Sequence, residues 1–131
     1  MYLLDSNILI YWLKGQGNVA QHLQAKSPLQ IKVPAPALFE LEYGTAKSHR
    51  PQLQRNFIDT VVLKLDILPL DYPSAKAAGL LRSALEGKGN LIGPYDLLIA
   101  GIAIAHNLTV ITRNTREFAC VPGLQVENWY D

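Results

Sequence analysis

Short apolar runs that alternate with longer stretches of helical period confine this chain to an α/β domain with a mostly parallel sheet. The runs are Tyr2 to Leu4, Gln30 to Val33, Ile67 to Leu70, Leu108 to Thr112 and Leu124 to Glu127, the last near a sheet edge. Between them, Ser6 to Lys14 reads as a helix closed by Gly15, and Val19 to Ala25 as a second. The pair Ala35 and Pro36 opens a third helix through Leu38, Leu41 and Thr45. Pro51 precedes a fourth, with Leu53, Phe57, Ile58 and Val61 as its core stripe. A fifth starts at Ser74, carries Ala77, Leu80, Leu81 and Leu85 on one stripe, and stops at the glycines of residues 87–89. The sixth, GPYDLLIAGIAIAHN at residues 93–107, is apolar almost throughout but bears Asp96 near its front.

A length of 131 residues suits one domain spanning 1–131, large enough to bury a core without disulfides or a structural metal. Charged residues are only 18% of the chain, which agrees with apolar surface covered by a partner. The single cysteine, Cys120, excludes an intrachain disulfide, and His22, His49 and His106 lack zinc-like spacing, so the expected compartment is a reducing cytoplasm. MYLLDSNILIYWLKG has no basic leading segment and is broken by Asp5 and Asn7, so it does not read as a signal peptide. No run is long and apolar enough to span a membrane. A formal charge of +1 requires that any nucleic-acid surface gather its basic residues on one face.

Where a parallel strand ends and its following helix begins, both lie at one sheet edge, and open α/β sheets bind ligands there. Five side chains are expected at that edge. Asp5 follows the first strand, Glu40 stands in the second turn of the third helix, Asp96 in the first turn of the sixth, and Asn114 and Glu117 after the penultimate strand. Glu86, at a helix C-terminus, and Asp59, Asp66, Asp71 and Glu127 are expected outside this group. Each acid alone has a structural explanation: Asp5 as an N-cap, Asp96 as an anion favoured by the helix dipole, Glu40 or Glu42 and Glu117 as solvated residues. Together they would repel and raise one another's pKa unless a cation neutralises them. Oxygen donors without Cys or His select Mg²⁺ or Mn²⁺, and the implied chemistry is metal-assisted phosphoryl or phosphodiester transfer. The helix N-terminus is expected to keep Asp96 ionised for that metal.

MYLLDSN, FELEYG at 39–44, IGPYDLLIA at 92–100 and VITRNTREF at 110–118 resemble the motifs of PIN-domain ribonucleases, specifically the VapC toxins of prokaryotic VapBC toxin–antitoxin pairs. VPGLQVENW at 121–129 is also similar to the end of such toxins. The resemblance implies a three-layer α/β/α sandwich, a Mg²⁺- or Mn²⁺-dependent endoribonuclease, homodimerisation, and inhibition by a VapB antitoxin in a prokaryotic cytoplasm. Carried over by motif, the acidic site is Asp5, Glu40 and Asp96, with Glu40 rather than Glu42 in the acidic place four residues before Gly44. Asp5, Asp96 and Asn114 are the implied metal ligands, and Glu117 completes the catalytic acids. Many PIN domains have Asp where Asn114 stands, which leaves the fourth corner between Asn114 and Glu117. Ser6 or Asn7 adds a polar contact. Arg82, Arg113 and Arg116 are candidates for RNA phosphates, and Trp12, Tyr43 and Tyr95 for base stacking or interface packing. Two alternatives compete: a catalytically silent PIN-like module that binds RNA or a partner, and a phospho-acceptor domain using Asp5.

Overall fold

The computed structural model describes residues 1–131. Five strands, β1 (Tyr2–Leu4), β2 (Ile31–Pro34), β3 (Asp66–Leu68), β4 (Thr109–Ile111) and β5 (Val126–Glu127), form one sheet in the order β3-β2-β1-β4-β5. Every pairing is parallel, with Tyr2 level with Ile31 on one side and with Thr109 on the other. Seven α-helices connect them: α1 (Ser6–Lys14), α2 (Val19–Gln24), α3 (Ala35–Ala46), α4 (Pro51–Lys64), α5 (Tyr72–Gly87), α6 (Pro94–His106) and α7 (Thr115–Phe118). From β1 the chain steps outward to β2 and β3, then returns past β1 to β4 and β5. Right-handed crossovers in opposite directions place their helices on opposite faces, giving the expected α/β/α sandwich. The direction reverses between β1 and β4, and this switch point opens a crevice at the strands' C-terminal ends.

Local chemistry sets the helix ends. The Asp5 side chain caps α1 by accepting from the Ile8 N–H at 2.9 Å, and Gly15 at φ 66° takes the left-handed turn that stops it. Leu3, Leu4, Val110 and Ile111 are fully buried, as central parallel strands require. Trp129 and Phe118, also buried, seal the β4–β5 side of the core. No helix is long and apolar enough to cross a membrane.

Several expected boundaries move. The fifth helix begins at Tyr72 because Asp71 caps it, accepting from the Ser74 N–H at 3.0 Å. Its buried stripe is Ser74, Ala78, Leu81 and Leu85, while Leu80 is 66% exposed. The small residues win that face because α6 approaches so closely: a Cβ on Gly101 would stand 2.7 Å from both the Ala78 Cβ and the Ser74 carbonyl. In α4, Ile58 and Val61 are buried but Leu53 is exposed. β3 starts at Asp66, whose carboxylate pairs with Lys32 of β2, and β5 shrinks to two residues at the open edge.

Candidate active site

The switch point gathers acids from four different elements. Asp5, only 3% exposed, ends β1 and begins α1. Glu40 extends from α3 and accepts from the Ser6 hydroxyl at 2.9 Å, whereas Glu42 turns away to pair with Arg55 of α4. Asp96 stands in the first turn of α6. Glu117, on the one-turn helix α7, accepts from the Gly93 N–H at 2.7 Å and from the Asn114 side-chain amide. The Gly93 Cα marks where α6 and α7 meet: a Cβ there would lie 3.4 Å from Glu117 Oε1 and 3.6 Å from Asp96 Oδ2.

Crowding changes the charge on two of these acids. Burial first, and the neighbouring Glu40 in addition, push Asp5 up to about 6, against hydrogen bonds from Thr112 and from the Ile8 and Asn7 backbones that favour its ionised form. Asp96 is pushed up to about 7 by burial, then by the charge of Glu117 and a hydrogen bond to it, with Asp5 and Glu40 adding further repulsion. The expectation that the helix N-terminus would keep Asp96 ionised therefore fails on magnitude. A helix end supplies about 0.3–1 kcal/mol, less than one pH unit, whereas desolvation and like charge together outweigh it. Glu117→Gln is expected to lower the Asp96 pKa by about one pH unit, read from the carboxyl carbon in NMR titration; an unchanged value would assign the whole rise to burial.

Of the two residues proposed for the fourth corner, the structure sets Glu117 against Asp96 and uses Asn114 to hold Glu117. As they stand, no three acids converge tightly enough to grip one ion. Two contributors were not singled out in the sequence. Thr112, fully buried at the end of the β4 run, hydrogen bonds Asp5 and receives the Asn114 N–H at 3.0 Å. The other is the Gly93 peptide, which no side-chain pattern reveals. Glu86 stays outside the acid group, but α5 runs antiparallel to α6, so its C-terminal end comes beside Pro94.

The arginines divide. Arg113 lies over the Tyr130 ring, 3.7 Å from its centroid, and near Tyr11, which ties the loop after β4 to the C-terminal tail. Arg82 pairs with Glu86 on the surface, and Arg116 is exposed on α7 with no ion-pair partner. Trp12 packs edge-on against Phe57 and is partly buried. Tyr95 and Phe39, each adjacent in sequence to a site acid, stay exposed with ring centroids 5.5 Å apart, and Tyr43 lies under Lys47.

Residues 2–124 match the family model of the PIN domain. Over 98% of this chain and 97% of the relative, the sequence is 34% identical to the tRNA(fMet)-specific endonuclease VapC of Salmonella typhimurium. Over 98% of both chains it is 37% identical to ribonuclease VapC2 of Rickettsia felis. Among solved structures, VapBC2 from Rickettsia felis bound to a promoter DNA fragment matches with a TM-score of 0.89 at 34% identity, over 98% of each chain. DNA-bound VapBC from Salmonella typhimurium matches at 0.91 and 32% identity, over 98% of this chain and 97% of that one. Sheet order, the position of the acids and this nearly full-length likeness agree: the chain belongs to the PIN-domain family, among the VapC toxin ribonucleases.

Proposed function

We propose that this VapC-type nuclease is a Mg²⁺- or Mn²⁺-dependent endoribonuclease that hydrolyses RNA phosphodiester bonds at the edge formed by Asp5, Glu40, Asp96 and Glu117. The observation that carries this reading is the gathering of these acids at one half-buried edge, where burial first and like charge in addition push Asp5 up to about 6 and Asp96 up to about 7. A structural cluster would gain nothing from such repulsion, whereas a divalent cation relieves it. The donor atoms are oxygen throughout, which suits a hard ion; Asp5 and Asp96 would hold it, with Asn114 acting through Glu117. When bound, the ion supplies an acidified water and offsets charge on the phosphate oxygens.

The chain's own residues do the positioning. Ser6 fixes the Glu40 carboxylate, Thr112 fixes Asp5, and the Gly93 N–H with Asn114 fixes Glu117. Asp96 and Glu117 share a hydrogen bond, so this pair can hold or release a proton at the reacting edge. Arg116, exposed beside them, attracts the RNA backbone. Its proposed partners are a VapB-type antitoxin, since the solved relatives are VapBC complexes, and a second copy of itself.

The test is RNA cleavage by the purified chain, beginning with initiator tRNA because of the substrate in the Salmonella relative's name. Cleavage is expected with Mg²⁺ or Mn²⁺, to stop in EDTA, and to resume when the ion is restored. An Asp96→Asn protein that cuts at the unmutated rate would refute the site. Co-expression with the small partner protein is expected to block the same cleavage.

A further inference from the structure

Beside the acids, the end of α5, the start of α6 and the segment joining them enclose a hollow of about 210 Å³. Its lining divides by chemistry: Leu91, Ile92 and Pro94 give apolar surface, while Arg82, Glu86 and Asn90 give polar groups. Ile92 precedes Gly93, whose N–H holds Glu117, and Pro94 stands two residues before Asp96. Hollow and acids thus share one stretch of backbone. A larger hollow of about 360 Å³, lined in part by Trp12, Leu23, Lys26 and Lys64, opens at the opposite sheet edge, where β2 begins. Position, not size, makes the smaller one accessible to a substrate held at the acids.

Arg82 and Glu86 are one helical turn apart, with Nε 3.6 Å from Oε2 and both side chains more than half exposed. Such a surface pair contributes little to folding, so its groups are free to serve a ligand. A guanidinium only donates and a carboxylate only accepts. Guanine alone among the RNA bases offers two adjacent acceptors, O6 and N7, and two adjacent donors, N1–H and the N2 amino group.

We propose that this hollow receives an unpaired guanine of the RNA beside the scissile phosphate. Arg82 takes the O6/N7 side, Glu86 the N1/N2 side, and Leu91, Ile92 and Pro94 cover the ring. Reading a splayed base in this way is how proteins obtain sequence preference from single-stranded RNA. The inference rests on the ribonuclease reading, because it takes RNA as what reaches this edge.

Binding is measured first, with the full-length Asp96→Asn protein and short single-stranded RNAs that differ only at one guanine, replaced by adenine, inosine or 7-deazaguanine. The guanine RNA is expected to bind about tenfold more tightly than each analogue. Adding Arg82→Ala should erase the 7-deazaguanine difference, and adding Glu86→Gln the inosine difference; both sites are exposed, so neither change threatens the fold. With the cutting protein and Mn²⁺, sequenced RNA ends should show guanine at a fixed distance from the break, a preference lost in Arg82→Ala. Absence of a guanine preference, or its survival in both variants, overturns the pocket. Equal weakening of every RNA by Arg82→Ala overturns it too, in favour of a phosphate contact. Guanine-selective binding without cleavage by the unmutated chain sinks the ribonuclease reading and leaves the pocket standing.

Discussion

Asp5→Asn is expected to abolish RNA cleavage while making the metal-free protein more stable at pH 7.5. Outer partners of metal ligands already cost about 10–100-fold when removed, so losing a ligand carboxylate is expected to cost roughly 100-fold or more. The stability effect follows from the direction of the Asp5 shift, from 3.8 to about 6. The folded chain holds a proton there that the unfolded chain has released, so this group's contribution to stability is fully present below pH 4 and is lost as pH rises through the window from about 4 to about 6. For so buried a group the loss is on the order of 3 kcal/mol. Asparagine carries no titrating charge and still caps α1. Urea unfolding in EDTA should therefore show the variant near parity with its parent at pH 4 and about 2–3 kcal/mol more stable at pH 7.5. A variant less stable at both pH values would contradict the raised Asp5 pKa.

Gly101→Ala is expected to destabilise the packing of α5 on α6. In a helix interior alanine ordinarily gains about 1 kcal/mol over glycine. Here the new Cβ would meet the Ala78 Cβ and the Ser74 carbonyl at 2.7 Å and the Ala78 nitrogen at 3.0 Å. Two of those contacts are helical backbone, so relief requires that α5 and α6 move apart. Overpacking of this kind costs about 1–3 kcal/mol and occasionally more, which outweighs the helical gain. We expect a net loss of about 1–2 kcal/mol, or roughly 3–8 °C in Tm. Because α6 carries Asp96 and adjoins Gly93, cleavage should fall in the same variant beyond what the unfolded fraction explains. Thermal melts and activity below the melting range check both parts, and an unchanged Tm would show that the helix pair yields easily.

The parallel sheet and the active edge were legible because both depend on order along the chain. A carboxylate just after a strand, or just inside a helix, lands at the same edge whatever the details of packing. That logic brings Asp5, Glu40, Asp96 and Glu117 to one edge, where they do lie near one another. What it missed depends on contacts between elements. Thr112 read as the last residue of an apolar strand, and only the proximity of β1 and β4 makes it a partner for Asp5. A helix C-terminus in a βαβ unit normally points to the other edge, but two successive helices between β3 and β4 bring the Glu86 end of α5 beside Pro94. Leu80 looked like core by size, but Gly101 selects Ser74 and Ala78 for the buried face. The raised pKa of Asp96 is hidden from the sequence for the same reason. The helix end was visible in sequence, while the neighbours that outweigh it were not.

The central claim, that crowded carboxylates form a divalent-ion site, is tested most directly by calorimetric titration of the metal-free protein with Mn²⁺ in buffers of different ionisation enthalpy. With Asp96 near 7 and Asp5 near 6, binding at pH 6.5 is expected to release about one proton per ion, falling toward none at pH 8.5. Asp96→Asn should bind more weakly and release fewer. Absence of Mn²⁺ binding, or binding at pH 6.5 without proton release, would contradict the account.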